Sequence, residues 1–557
     1  MDIRKLSPEI AVASQPGAAD VKAIAKAGYR SIICNRPDGE ANDQPTFSEI
    51  EAAAKKAGLA VRYMPVTRGL VSAEDAQGFR DALIEMPGPV VAYCRAGIRS
   101  AELWALAMSD RLTLAEIVDA TDDAGIDMRG AARRILNGGR VPKDTSDAKY
   151  QVVIVGGGAA GVAVAASLRA RRPDLEVAII EPADTHYYQP GWTLVGGGML
   201  DASTTAKTMG SLIPRGVHWL RASVAAFEPE SNAVILEGSR IVKYERLIVC
   251  PGLKLDWGKV EGLEETLGRN GVCSNYRYDL AAYTWEMVKR VRGGKAVFTQ
   301  PPMPIKCPGA PQKAMYMSAD YWRLEGVLNQ VDIQFMTASD TLFGVKDYVP
   351  ALEEYIRRYY VSVNWRHRLV AVDGPAKKAW FEVAGEDGET ARVETDFDML
   401  HVAPPQSAPD FIRISPLADK AGWVDVHPAT LRHQTYDNIW SLGDAASTPN
   451  AKTAAAARAQ APVVAENLID DIEGRSPTAI YAGYGSCPLT VERGKVVLAE
   501  FGYGGVLMPT LPTWMIDGTK ATRRAWFLKE RALPTVYWRA MLRGREWLAK
   551  PEKVTAP

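Results

Sequence analysis

Cysteine chemistry is concentrated at two places in this sequence. Cys307 lies in "PIKCPGAPQK", directly after "KAVFTQPPM", an apolar run that reads as the opening strand of a nucleotide-binding unit. A Gly-rich loop is expected after such a strand. A thiol among Pro304, Pro308, Gly309 and Pro311 stands there instead, in a loop-forming neighbourhood rather than a core one. Cys94 lies in "GPVVAYCRAGIRSAELWALAM", which reads as a buried strand, a short loop and a helix. Successive loop N–H groups, the helix N-terminus, Arg95 and Arg99 favour the thiolate, so Cys94 is a candidate nucleophile and Arg99 its charge partner. The six cysteines form no CxxC pair and the six histidines show no ligand spacing, so neither a metal site nor a disulfide framework is expected.

A cofactor must be held next to any such thiol. "QVVIVGGGAAGVAVAASLRARRPDLEVAIIEP" is a complete βαβ fingerprint, with Gly156, Gly158 and Gly161 as G-x-G-x-x-G between an apolar strand and an Ala-rich helix. The helix start at Ala159 and Ala160 offers free N–H groups to a pyrophosphate. Glu181, 20 residues after Gly161, ends the next strand where an acid binds ribose hydroxyls. "YDNIWSLGDAAS" places Gly443 and Asp444 after another apolar strand. This turn, like "YERLIVCPG", is similar to the flavin disulfide-reductase-like enzymes, which implies FAD rather than NAD.

The chain of 557 residues is long enough for about two to four domains. Lys+Arg and Asp+Glu are both 66, which removes the electrostatic footprint of a nucleic-acid binder. No apolar run spans a bilayer, and the start lacks a signal-peptide core, so a cytoplasmic protein is expected. Residues 1–137 alternate strand-like and helix-like segments as a small α/β domain; 138–150 read as a linker; 151–508 form a longer α/β region; and 509–557 change character, with Trp, Arg and Lys interleaved.

From about 150 to 548 the chain resembles the sulfide:quinone oxidoreductase family, in particular its mitochondrial-type branch. The strings that carry this are "HYYQPGWTLVGGG", "PIKCPGAPQK", "FGVKDY", "LHVAPPQSAPD", "GDAASTPNAKTAAAARAQ", "GYGSCPLT" and "YWRAMLRG". The resemblance implies a flavin disulfide-reductase-like fold of two Rossmann-like halves, with a redox pair made of Cys307 and Cys487 in place of a second nucleotide site. Hydrosulfide attacks the bridged pair, leaving a persulfide on one cysteine, and two electrons pass through FAD to a quinone. The same resemblance implies Gln189, Val224 and Lys452 as FAD contacts. Cys487 as the persulfide carrier and Cys307 as the thiol facing the flavin is the favoured division, with the reverse assignment left open by the sequence. Cys250 and Cys273 receive no role from it and read as core residues. Ala445 stands where mitochondrial-type relatives can carry a cysteine.

Cys94 and Arg99 are spaced C-x4-R, and "CRAGIRS" looks like the six-residue loop of rhodaneses rather than the C-x5-R loop of tyrosine phosphatases. "ASQPGAADVKAIAKAGYRSIICNRPDGE" resembles a small tyrosine-phosphatase-like family found fused to persulfide-handling enzymes. This implies a sulfurtransferase domain that takes sulfane sulfur from the flavin domain and passes it to a small acceptor: a thiol, sulfite or cyanide. The alternatives are an inactive docking module, a redox-regulated phosphatase with a flavin sensor domain, and a non-enzymatic sulfide sensor docked on a membrane. In the tail, Tyr537, Trp538, Met541 and Leu542 share one helical face, with Arg539 and Arg543 off it. Such an amphipathic helix suits a membrane surface, where a quinone dissolves; a dimer-packing helix is the plainer alternative, and a homo-oligomer is compatible with the sequence.

Overall fold

The computed structural model describes residues 2–41, 44–66, 71, 73–109, 111–126, 128, 146–236, 240–385 and 389–553. It divides into a unit of residues 1–149, 224–243 and 414–416, and a unit of residues 150–223, 244–413 and 417–557. Of the expected linker at 138–150, residues 138–145 lie outside the described residues, and 146–150 already belong to the strand Ser146–Val155.

The first unit is built on a five-stranded sheet in the order Ile3–Lys5, Ile10–Ala13, Val90–Tyr93, Ser31–Cys34, Ala60–Tyr63. The first strand runs antiparallel and the rest are parallel. The two-residue alternation of the strands sorts the core. Ala13, Ile32, Val91 and Tyr93 meet Val21, Ile24, Ile50 and Ala54 of two helices on one face. Val12, Ile33 and Ala92 meet Phe79, Leu103 and Trp104 on the other. Thr46 and Glu49, and Thr113 and Glu116, form reciprocal caps that fix two helix starts.

In the second unit, Ser146–Val155 pairs in parallel with Val177–Ile180, which pairs in parallel with Val217–Leu220; Ile439–Ser441 joins the strand Ile241–Val249 in parallel. A second, wholly parallel sheet runs Val272–Cys273, Met399–His401, Gly294–Gln300, Val331–Thr337, Ser362–Trp365. Strand Gly294–Gln300 leads, through the loop of Cys307, into helix Ala310–Leu324. That helix packs Met315 and Tyr316 against Leu489, Val491 and Val497 of the hairpin Gly485–Glu492/Lys495–Phe501, which carries Cys487.

The tail differs from the expectation. It forms a helix at Arg523–Phe527, a π-helical turn at Leu528–Ala532 and a helix at Leu533–Arg539. Tyr537, Met541 and Leu542 are buried in the core beside helix Ala159–Arg171, and Trp538 is partly buried against it. The face read as membrane-seeking is thus covered by protein. Burying these side chains gains the same hydrophobic free energy as a lipid contact would, and the fingerprint helix offers a matching surface. Arg171 donates to Glu546 at 2.8 Å and pins the join. Leu542 is fully buried. Leu542→Ala is expected to cost about 2–5 kcal/mol, read as a lowered denaturation midpoint of the second unit.

Candidate active site

One cavity of about 720 Å³ gathers most of the expected site residues of the second unit. Gly158 caps helix Ala159–Arg171 with open space where a side chain would be, so the first helical N–H groups face the cavity. A Cβ on Gly161 would lie 1.8 Å from the Gly156 carbonyl, so only glycine lets the helix close on the strand. Glu181 lines the cavity and accepts the N–H groups of Gly157 at 2.7 Å and Ala183 at 2.8 Å. Ala159, Ala160, Gln189, Gly443, Asp444 and Lys452 line it too. Val224 does not; it is a buried residue of the hairpin strand Val224–Glu228. Cys250, read as a core cysteine, is buried and also lines the cavity, with its sulfur 3.8 Å from the Gly156 carbonyl.

Lys452 is buried, donates to the carbonyls of Asp444 at 2.8 Å and Ala446 at 3.0 Å, and sits 3.7 Å from the Trp423 ring centroid. Burial lowers it to about 8, with Asp444 opposing the shift. Burial likewise pushes the Asp444 carboxyl up, against Lys452. Three residues that sequence reasoning missed complete this part of the wall. Trp192 Nε1, Thr193 Oγ1 and both amide atoms of Asn275 are buried, unpaired and in cavity-lining residues. Buried polar atoms without partners are costly, and a polar-edged planar ligand would satisfy them.

The thiols meet at the same cavity. Cys307 has φ 50°, donates its N–H to the Lys452 carbonyl at 2.9 Å, and accepts Ala310 N–H at 2.7 Å, which turns the chain into the helix. A Cβ on Gly309 would lie 2.7 Å from the Cys487 sulfur, so glycine there allows the two segments to close. Cys307 lines the cavity; Cys487 is fully buried behind it, between cavity-lining Ser486 and Pro488. The Lys313 ammonium stands 3.0 Å from the Cys307 sulfur. A hydrogen bond from Cys487 and the charge of Lys313 hold the Cys307 thiol well below its usual range, against burial. The same hydrogen bond and burial push Cys487 up. The two thiols are thus unequal, with the negative charge favoured on Cys307 and the proton on Cys487. Lys529, on the π-turn, donates to the Pro488 carbonyl at 3.0 Å; burial, then repulsion from Lys313, lowers it to about 7. Lys313 belongs to the same PIKCPGAPQK motif, three residues into helix Ala310–Leu324, whereas nothing in the sequence signals that Lys529 joins it.

In the first unit Cys94 follows strand Val90–Tyr93, is buried, and accepts the N–H of Gly97 at 3.1 Å, the cap of helix Ile98–Met108. Arg99 is also buried, but it donates to Asn35 O at 3.3 Å and Glu40 at 2.6 Å, and Arg36 donates to the same carboxylate at 2.7 Å. Burial opposes ionisation of Glu40, and the two arginines overcome it. Arg99 Nε remains buried without a partner. Among the described residues no group of His, Cys, Asp or Glu is arranged for a metal ion, and no helix is long and apolar enough to cross a membrane.

A fingerprint helix, a Gly-Asp turn and a thiol pair around one cavity, with a second parallel sheet behind, define a flavin-dependent oxidoreductase of the disulfide-reductase class. The family of pyridine nucleotide-disulphide oxidoreductases matches residues 150–281. Over 403 residues the chain is 41% identical to the mitochondrial sulfide:quinone oxidoreductase of Dictyostelium discoideum, covering 72% of this chain and 87% of that protein. The chain belongs to the sulfide:quinone oxidoreductase family. The solved sulfide:quinone oxidoreductase of Aquifex aeolicus shares the fold, at a TM-score of 0.61 and 19% identity over 73% of this chain and 97% of that one. Residues 2–110 match the phosphatase-like domain of beta-lactamase hydrolase-like proteins. One such protein, from Agrobacterium fabrum, is 32% identical over 131 residues, 23% of this chain and 30% of that protein.

The electrostatics predict unequal thiols. In the reduced protein, alkylation at Cys307 is expected at a pH below that of an ordinary thiol, and Lys313→Met is expected to move that profile up by about one pH unit, or ~1.4 kcal/mol. Mass spectrometry of alkylated peptides across pH 5–9 checks both.

Proposed function

We propose that this chain oxidises sulfide to sulfane sulfur at Cys307 and Cys487 and delivers the electrons to a membrane quinone. The observation that carries this reading is the Cys307 sulfur, 3.0 Å from the buried Lys313 nitrogen, in the wall of the cavity that the fingerprint helix opens onto. The unpaired Trp192, Thr193 and Asn275 atoms, the open Gly158 cap and Glu181 fit FAD there. When bound, FAD supplies a two-electron relay between sulfur and quinone. Hydrosulfide attacks the Cys487 sulfur of the bridged pair; the S–S bond breaks, Cys487 keeps the persulfide and Cys307 leaves as a thiolate held by Lys313. A thiol, sulfite or cyanide then removes the terminal sulfur, and the two thiolates give up two electrons as the bridge re-forms. The exposure of Cys307 to the cavity supports its place as the thiol facing the flavin.

The quinone is expected against the apolar side chains of the cavity wall, among them Leu511, Met515, Leu528, Leu533 and Val536. Trp514, Phe527 and Trp547 are at least 65% exposed and support a peripheral membrane contact through these residues rather than through the covered face of the tail. A cytoplasmic, membrane-surface location belongs to the same reading. Anaerobic titration with sulfide is expected to bleach the flavin, whereas NADH is not. Cys307→Ser and Cys487→Ser are each expected to abolish sulfide-dependent reduction of quinone in liposomes while retaining FAD, and Cys273→Ser to stay active. Near-normal turnover by either of the first two variants sinks the two-thiol mechanism.

For the first unit we infer sulfur transfer through Cys94, supported by its short loop and by the sulfane sulfur its companion region generates. The phosphatase-like family match favours a second reading, phosphoester hydrolysis. After sulfide turnover Cys94 is expected to carry a persulfide by mass spectrometry, and Cys94→Ser to lose thiosulfate:cyanide transferase activity. An unmodified Cys94 with phosphoester turnover points to the phosphatase.

A further inference from the structure

The cavity wall that carries Leu498, Leu511 and Leu528 also holds a polar group that neither the thiols nor the fingerprint uses. Glu500, in strand Lys495–Phe501, is only 6% exposed, yet it lines the cavity. Its Oε1 accepts the Tyr484 hydroxyl at 2.6 Å and the Thr510 hydroxyl at 2.5 Å, and those hydroxyls stand 3.0 Å apart. Among the described residues its Oε2 has no hydrogen-bond partner and no cation forms an ion pair with the carboxylate. Tyr484 and Thr510 also line the cavity. Exposure grades along this chain: Thr510 is exposed, Tyr484 half-buried, Glu500 buried. Arg458, from helix Ala454–Ile472, acts on Tyr484. Tyr348 holds the Glu500 main chain by two hydrogen bonds, and Lys529 lines the cavity from the tail.

A carboxyl group placed in an apolar pocket is expensive unless it is bonded. Here it is bonded on one oxygen only, by hydroxyls that lead to solvent. We propose that Thr510, Tyr484 and Glu500 form the proton inlet for quinone reduction, with Glu500 handing the proton to a quinone oxygen. This rests on the reading that a quinone is reduced against the apolar wall of the cavity. Reduction to a quinol takes two electrons and two protons. Sulfide oxidation supplies the electrons. For each proton, the carboxyl O–H of Glu500 breaks as an O–H forms on the quinone, and the carboxylate regains its proton from water through the hydroxyls of Thr510 and Tyr484. The cycle runs once for each quinone oxygen.

The test isolates the oxidative half-reaction. The holoenzyme is reduced anaerobically with dithionite, mixed in a stopped-flow instrument with a short-tailed ubiquinone, and followed by flavin absorbance. Glu500→Gln is expected to slow reoxidation by quinone about 100-fold or more, the usual range for loss of a general acid. Reoxidation by ferricyanide, which takes electrons without protons, is expected to stay within about twofold. Tyr484→Phe keeps the carboxylate and removes one hydroxyl; it is expected to slow the quinone reaction about tenfold with the same ferricyanide control. Should Glu500→Gln fail to hold flavin, Tyr484→Phe decides alone. Quinone rates equal to wild type in the variant that decides, or an equal loss with both oxidants, overturn the inlet. A wild-type flavin reoxidised by ferricyanide but not by quinone overturns the quinone reading itself, and the inlet with it.

Discussion

A buried ammonium organises the catalytic half of this molecule. Taking the charge of Lys313 out of water costs several kcal/mol unless an anion meets it, and the Cys307 sulfur does so at 3.0 Å. Three separate pieces of chain must converge for that contact: the left-handed turn at Cys307, the helix that begins at Ala310, and the hairpin that brings Cys487 over Gly309. On the proposed mechanism the contact also depends on redox state. With Cys307 and Cys487 bridged, Lys313 would face no thiolate, and hydrosulfide would be the small anion that restores the balance. Oxidation of the pair would then itself prepare the place where sulfide is taken up.

The parts of this arrangement that follow local rules were legible in the sequence. The fingerprint from Gly156 to Glu181 needs glycines at fixed steps, because a Cβ at Gly161 would collide with the backbone. The strands of the first unit alternate or run apolar, and they appear where that pattern places them. Convergence over long sequence distance was not legible from spacing. Cys307, in a loop that follows one sheet, and Cys487, in a strand of another, are paired only through resemblance to a family. Trp192, Thr193, Asn275 and Glu500 are ordinary residues in the chain text; their meaning comes from being buried without full hydrogen bonding beside a cavity. Arg99 shows the opposite case. Its spacing from Cys94 points to the sulfur, but a carboxylate 59 residues away, Glu40, takes its guanidinium.

The tail shows how periodicity gives a face without giving its partner. Tyr537, Met541 and Leu542 do line up as one apolar stripe, but that stripe is satisfied by the helix of the fingerprint. What is left for water or lipid is a different set, Trp514, Phe527 and Trp547, at turns and helix ends where no repeat announces them.

The join between tail and fingerprint runs deeper than hydrophobic contact. The Tyr537 hydroxyl is 2.7 Å from Nε2 of His186, whose Nδ1 lies 3.2 Å from the Gly157 carbonyl, and Gly157 N–H is the donor to Glu181. Gly544 passes so close to the backbone at Ala166 that a side chain there would collide with it. The segment that presents aromatic residues at the surface is thus also the outer brace of the cradle. On the proposed membrane contact, a lineage adapting this enzyme to another lipid composition would be free to vary Trp514, Phe527 and Trp547, but would inherit Tyr537, Leu542 and Gly544 as fixed stock. Surface drift and cradle constancy should therefore be interleaved residue by residue along one short stretch of chain.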